Sequence, residues 1–147
     1  MNIANILARK GSVAVTVRPE QTIREALALL DRHNIGALIA VEGDHPVGIL
    51  SERDIVRQAA RDEKFFVRVV GELMTRDVIT GQPHDDLLSV AHTMTERRIR
   101  HLPVVDKGRL VGMVSIGDIV KAQRDHYQGE VDTLQTQLLA DDRGRAR

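Results

Sequence analysis

At 147 residues the chain has room for one compact domain or two very small ones. Apolar residues make up 42%, enough for a globular core, but the aromatics are only Phe65, Phe66 and Tyr127, so that core must be aliphatic. Lys plus Arg equals Asp plus Glu at 21 each, which leaves no overall field for nucleic acid or an anionic membrane, and zero Cys removes disulfides, thiolate nucleophiles and cysteine–zinc sites together.

The chain begins MNIANILARKG, too short and too charged for a signal peptide, and no apolar run reaches the length of a membrane span. With no cysteine to protect, a reducing cytoplasm is the expected location. Ile3, Ile6 and Leu7 outline a short helix stopped by Gly11. Val13–Val17 reads as a short β-branched strand, with Pro19 ending its pairing. Ile23, Leu27 and Leu30, with Ala26 alongside, have the spacing of an amphipathic helix, and Thr22-x-x-Glu25 is a capping-box pattern at its start. Two strands are predicted next, Ala37–Val41 and Val47–Leu50, joined by Glu42-Gly43-Asp44-His45, which carries the Gly and Asp that a hairpin turn needs. A helix follows from Ser51. The stretch Ala60–Glu72 is charged and then apolar, and leads into a short turn, VGELMT.

The same string then recurs. Val78–Thr80 is a short strand before Pro83, and Leu87, Val90, Ala91 and Met94 form an amphipathic helix with Asp86 as N-cap. Leu102–Val105 and Leu110–Val114 pair across Asp106-Lys107-Gly108-Arg109, and a last helix starts at Ser115. Shifting the sequence by 64 positions aligns Thr16–Arg57 with Thr80–Lys121 without a gap, and 11 of the 42 columns are identical. Identity is densest where VGILSERDIV meets VGMVSIGDIV. One unit of about 45 residues cannot cover its own sheet, so the two copies are expected to pack face to face, as a pseudo-twofold pair sharing one core. Apolar runs such as IGALIAV imply strands buried on both faces. The expected fold class is therefore α/β, of the α+β kind: two βαββα repeats and a C-terminal helix.

In that last helix Val120, Gln123, Tyr127, Val131, Leu134 and Leu138 keep spacings of three and four, and Gly129 weakens the run by about 1 kcal/mol. Such a stripe either packs back on its own domain or meets a second copy as a short coiled segment. The closing DDRGRAR is expected to be disordered. The six His residues (33, 45, 84, 92, 101 and 126) show no metal-binding spacing. No G-x-S-x-G elbow exists either, so neither a metal nor a catalytic site is expected.

The repeat, the RHLPVVD stretch at Arg100–Asp106 and the paired segments Gly48–Asp54 and Gly112–Asp118 resemble tandem cystathionine-β-synthase (CBS) domains, the Bateman module, of the stand-alone bacterial kind. The resemblance covers residues 1–125. It implies residues 1–62 as CBS repeat 1 with its N-terminal helix, 63–125 as repeat 2 with its linker, and 126–147 as a C-terminal helix and tail. It also implies a regulatory, non-catalytic homodimer that binds an adenosine ligand (AMP, ADP, ATP, NAD(H) or, last among them, S-adenosylmethionine) and signals to an unknown partner protein.

The residues suit such a ligand. A ribose offers two adjacent hydroxyl donors that one carboxylate can accept, a phosphate favours a helix start with a hydroxyl and a cation, and a base needs an apolar slot. By the resemblance, Asp54 and Asp118 hold ribose, with Ser51 and Ser115 at ribose or phosphate. One cleft gathers Ser51, Arg53, Asp54, Val78, Ile79, Arg100, His101 and Pro103. The other gathers Ser115, Asp118, Ala14, Val15, Gly36 and Ala37. Only the first has an Arg–His pair, so it takes the phosphate-rich ligand, while the second takes a less charged group or stays empty. The same residues also have a simpler reading. Ser-x-x-Asp before an apolar helix is a capping pattern worth about 1 kcal/mol without any ligand, and Arg97, Arg98 and Arg100 fit a solvated helix end. The alternative function is a ligand-free structural or protein-interaction module.

Overall fold

The computed structural model describes residues 1–12 and 14–145. Helix α1 (Ile3–Lys10) comes first, followed by strand β1 (Thr16–Val17), helix α2 (Ile23–His33), the hairpin β2 (Ala37–Glu42) and β3 (His45–Ser51), and helix α3 (Glu52–Ala59). A 3-10 turn at Phe65–Val67 and the one-turn helix α4 (Val70–Leu73) form the connection. Helix α5 (Leu87–Arg97), the hairpin β4 (His101–Asp106) and β5 (Arg109–Ser115), and the long helix α6 (Ile116–Arg145) complete the chain. No helix among the described residues is long and apolar enough to cross a membrane.

The repeat seen in the sequence is a repeat in space. Ala37 pairs with Ser51 and His101 with Ser115, and each hairpin shifts register at the same point, between Ala40 and Val41 and between Val104 and Val105. Helix α2 ends on Asn34 in the left-handed region (φ 51°), and α5 ends on the equivalent Arg98 (φ 55°). At the helix starts, Asp86 accepts the amides of Leu88 and Ser89, as expected. Thr22 accepts the Glu25 amide, but the Glu25 side chain takes the Thr22 hydroxyl and the Gln21 amide instead of reaching back to the Thr22 backbone.

Two expectations need correction. The first strands are shorter than the β-branched runs suggested. In repeat 1, β1 pairs in parallel with β2 only through Thr16 and Val17, and Val13 lies outside the described residues. In repeat 2, Val78–Thr80 forms no strand: a single bridge joins Gly81 to Val104, through Gly81 N to Pro103 O (2.9 Å) and Val105 N to Gly81 O (2.8 Å). Gly81 stands where repeat 1 has Val17. A Cβ there would lie 2.7 Å from Leu102 Cδ2 and 3.0 Å from Ile3 Cδ1, so the chain passes too close for a side chain.

The interior, moreover, forms two clusters instead of one shared core. The first holds Val17, Ile23, Ala26, Leu30, Leu38, Leu50 and Ile55 of repeat 1 with Val70 and Met74 from the segment leading into repeat 2. The second holds Leu87, Val90, Met94, Leu102, Val104, Val114 and Ile119 of repeat 2 with Ile3, Ile6 and Leu7 of α1. Each repeat is thus closed by the short helix that precedes the other. Matching hydrogen bonds hold these helices: Val70 N to Gln21 O and Gly71 N to Pro19 O mirror Ile3 N to Asp85 O and Ala4 N to Pro83 O. Their last apolar residues settle on glycines. A Cβ at Gly48 would run into the Met74 sulfur, and one at Gly112 would come within 2.9 Å of Leu7 Cδ2. The close approach anticipated at these glycines is therefore made by another part of the chain.

The C-terminal helix leaves the body early. Ile119 and Ala122 are buried, but from Arg124 onward every described residue except the half-buried Val131 is exposed, including Tyr127, Leu134 and Leu138. The stripe does not pack back on its own domain. The expected disorder of the closing residues does not hold for Asp141–Arg145, which continue the helix; Arg143 and Arg145 in the last turn favour its dipole. Ala146 and Arg147 lie outside the described residues.

Because Met74 is buried against Gly48 through its Cγ as well as its sulfur, Gly48→Ala is expected to cost about 1–3 kcal/mol by overpacking. Urea unfolding monitored by circular dichroism measures this directly.

Candidate functional site

Strand β3 delivers Ser51 to the start of α3, and the local sequence closes a reciprocal lock. Ser51 N donates to Asp54 Oδ2 (3.0 Å), and Asp54 N donates to Ser51 Oγ (3.2 Å). The Ser51 hydroxyl also donates to Asp54 Oδ2 at 3.0 Å. Repeat 2 makes the same lock: Ser115 N to Asp118 Oδ2 at 2.8 Å and Asp118 N to Ser115 Oγ at 3.1 Å. The capping reading is therefore realised in both copies. It uses one carboxylate oxygen, since among the described residues every hydrogen bond to Asp54 ends on Oδ2.

Around Asp54 lies a cleft of about 500 Å3, within the range of small-molecule sites. All eight residues expected for the first cleft line it: Ser51, Arg53, Asp54, Val78, Ile79, Arg100, His101 and Pro103. The failed strand explains the wall, because Val78 and Ile79 face the cleft without pairing into a sheet. Ile49, Ile99 and the buried Pro103 complete its apolar part. Arg57 and Arg98 also line it, so four guanidiniums surround one opening. Among the described residues none of the four makes an ion pair. Glu52 and Asp77 line the cleft as well and temper its positive field.

Arg57 was legible as the residue one turn beyond Arg53, on the same face of α3. Arg98 was not. It holds the left-handed position that repeat 1 gives to Asn34, the residue type better suited to it. An arginine there stores strain of about 1–3 kcal/mol, at the rim of the cleft.

Of the second set, Ser115 and Asp118 share the second lock, and the other four are placed as follows. Gly36 lines the first cleft, where a Cβ would lie 3.7 Å from the His101 ring, because the entries to β2 and β4 meet beside the pseudo-twofold axis. Ala37 is wholly buried and Val15 packs on the first core. Ala14 lines a small hollow of about 170 Å3 with Thr16 and Gly112, away from Ser115 and Asp118. Asp118 itself is engaged by Lys10, whose ammonium donates to Asp118 Oδ2 at 2.7 Å. Burial would raise the Asp118 pKa, but the hydrogen bonds from Lys10 and Ser115 outweigh it and hold the carboxyl below its usual value. No local pattern signals this pair, since its members are 108 positions apart and Lys10 lies outside the repeat.

His101 has its pKa lowered, chiefly by burial; Asp118 and Glu52 pull it up, while Lys10 and Arg100 push it down. At neutral pH it is an uncharged donor and acceptor in the cleft wall.

A model of the CBS domain matches residues 11–61 and 70–125, one match on each repeat. This chain belongs to the CBS domain family. The CBS domain-containing protein YhcV of Bacillus subtilis is 37% identical over 108 residues, 74% of this chain and 77% of that protein. The crystal structure of a CBS-domain protein from Agrobacterium tumefaciens superposes with a TM-score of 0.80 at 37% identity, over 84% of this chain and 99% of that one. A CBS domain protein from Pyrobaculum aerophilum, solved in complex with AMP, superposes at 0.73 with 29% identity, over 80% of this chain and 89% of that one.

The His101 environment has a consequence for the CBS pair without ligand. The unfolded chain titrates this ring near 6.5 and the folded chain lower, so between the two values the unfolded state binds more protons. Stability is therefore expected to fall as pH drops through that window. His101→Gln should remove this part of the slope, as the difference between the two chains' urea midpoints across pH 5–7.5 would show.

Proposed function

We propose that this CBS pair is a regulatory, non-catalytic sensor that holds an adenosine nucleotide in the cleft at Asp54. The observation that carries the reading is the convergence, in one cleft, of a carboxylate with one uncommitted oxygen, an aliphatic slot and four guanidiniums without ion pairs. Asp54 Oδ1 is the acceptor for the ribose hydroxyls, with charge-assisted bonds each worth about 1.5–3 kcal/mol. Val78, Ile79 and Pro103 face the base. Arg53, Arg57, Arg98 and Arg100 take the phosphates, and His101 adds a neutral hydrogen bond. The AMP complex of the Pyrobaculum aerophilum relative supports the ligand class. NAD(H), ATP and ADP meet the same chemistry, and S-adenosylmethionine, which is cationic, meets it least well.

The ligand would touch both repeats, since Asp54 and the arginines of α3 belong to one and Val78, Ile79, Arg100 and Pro103 to the other. Binding then favours the arrangement in which both halves contact it, by the difference in affinity between arrangements. A downstream protein would read that difference.

One observation favours a ligand-free interaction module instead: the lock with Ser51 already gives Asp54 a structural role. Thermal unfolding with AMP, ADP, ATP, NAD, NADH and S-adenosylmethionine separates the two readings. A true ligand at about 100 times its dissociation constant should add roughly 2.7 kcal/mol, and a flat panel sinks the sensor. Arg100→Ala should weaken phosphorylated ligands by about 1.5–3 kcal/mol while leaving adenosine nearly unchanged.

Assembly as a homodimer is part of the same proposal, supported by the exposed stripe Tyr127, Leu134 and Leu138 on α6. Light scattering should give twice the chain mass for the wild type and one chain mass for the double variant Leu134→Glu, Leu138→Glu.

A further inference from the structure

Helix α6 carries its apolar residues into solvent, and their order along it defines what can cover them. Val120, Tyr127, Leu134 and Leu138 are between 57% and 70% exposed. With Val131 they follow the steps of four and three of a two-stranded seam, with Val120, Tyr127 and Leu134 at one kind of seam position and Val131 and Leu138 at the other. The seam positions that remain are charged: Arg124, Asp141 and Arg145. Arg124 makes only a loose pair with its neighbour Asp125, at 3.6 Å with the arginine 71% exposed. Among the described residues neither Asp141 nor Asp142 makes an ion pair. Val120, Lys121 and Arg124 stand exposed where the helix leaves the body, so its root is open to a second helix.

We propose that α6 is an antiparallel dimerisation arm, covered by α6 of a second copy, with the acidic tip of each seated on the basic root of the other. This rests on the reading of the stripe as a dimer contact and adds its direction and register. Charge decides the direction. In a parallel pair Arg124 meets Arg124, Asp141 meets Asp141 and Arg145 meets Arg145, and the flanking positions bring no opposite charges together. In an antiparallel pair with Val131 against Leu134 of the second copy, Tyr127 falls against Leu138 and Arg124 against Asp141. The flanks agree, since Lys121 falls beside Asp142, Gln128 beside Gln135 and Glu130 beside Gln137. The apolar layers are then closed at each end by opposite charges, and no like charges meet along the seam.

Cysteine cross-linking of the full chain tests this, because the sequence holds no cysteine of its own. Under mild oxidation, Tyr127→Cys combined with Leu138→Cys in one chain should give a covalent dimer, and either substitution alone should give none. The two positions are about 16 Å apart along one helix, too far for a disulfide within the chain. Arg124→Asp should weaken dimerisation about tenfold, since it breaks the same pair twice, and adding Asp141→Arg should restore it. In a chain that scatters light as a dimer, cross-linking by either single variant, or none by the double variant, overturns the antiparallel arm and leaves the homodimer standing. Failure of Asp141→Arg to restore the Arg124→Asp dimer overturns the arm as well. A wild type of one chain mass overturns both the arm and the homodimer.

Discussion

A β-hairpin with one helix against it leaves part of its apolar surface uncovered, and an aliphatic sequence with three aromatics has no large side chain to cover it. Here the gap is filled by exchange. Met74 lies on Gly48 and Leu7 lies on Gly112, each carried by the short helix that precedes the opposite repeat. The missing Cβ at these two strand positions lets the helices come close enough to seal a core, and each seal ties one half of the molecule to the other. The exchange also sets the ends of α1 and α4 beside the Ser-x-x-Asp turns. The character of each cleft is therefore decided by a segment from outside the repeat that supplies its carboxylate.

The turns themselves show how one local structure can serve two ends. A reciprocal lock between Ser51 and Asp54 needs only one carboxylate oxygen. Capping and ligand binding do not compete for the same atom, and a site can be preorganised at no added cost because the helix start already fixes the acid in place. At Asp118 the same lock exists, with the ammonium of Lys10 added to it. Two similar locks thus carry unequal chemistry, and the difference comes from one lysine and from the arginines gathered around α3 and the end of α5.

Much of this was legible because it is periodic. The repeat without gaps, the hairpin turns, the Asp86 cap and both Ser-x-x-Asp locks follow from spacing, and the eight residues of the first cleft follow from the family's geometry. What escaped was either tertiary or a matter of close approach. Val78–Thr80 has the composition of a strand, but Gly81 brings the backbone against Leu102 and Ile3 and leaves only one bridge. Lys10 meets Asp118 through the folding of α1 onto the far repeat, which no local pattern encodes. The six residues expected in the second cleft were placed by symmetry, which gives no hint of Lys10 beside Asp118. In the sequence Arg98 reads as part of a solvated helix end. The strain of its left-handed backbone, visible only in three dimensions, sets it apart from the ordinary run of surface arginines.

Helix α6 begins at the lock that holds Asp118 and continues without a break for 30 residues. At 1.5 Å per residue it is about 45 Å long, and only its first two turns are anchored in the body. Its far end is a pointer. By simple trigonometry on that length, a tilt of about 5° at the root sweeps the tip through about 4 Å, a displacement comparable to the width of a side chain. A rearrangement between the repeats too small to alter either core would thus arrive, at the distant end of one rigid rod, as a movement large enough for another protein to feel.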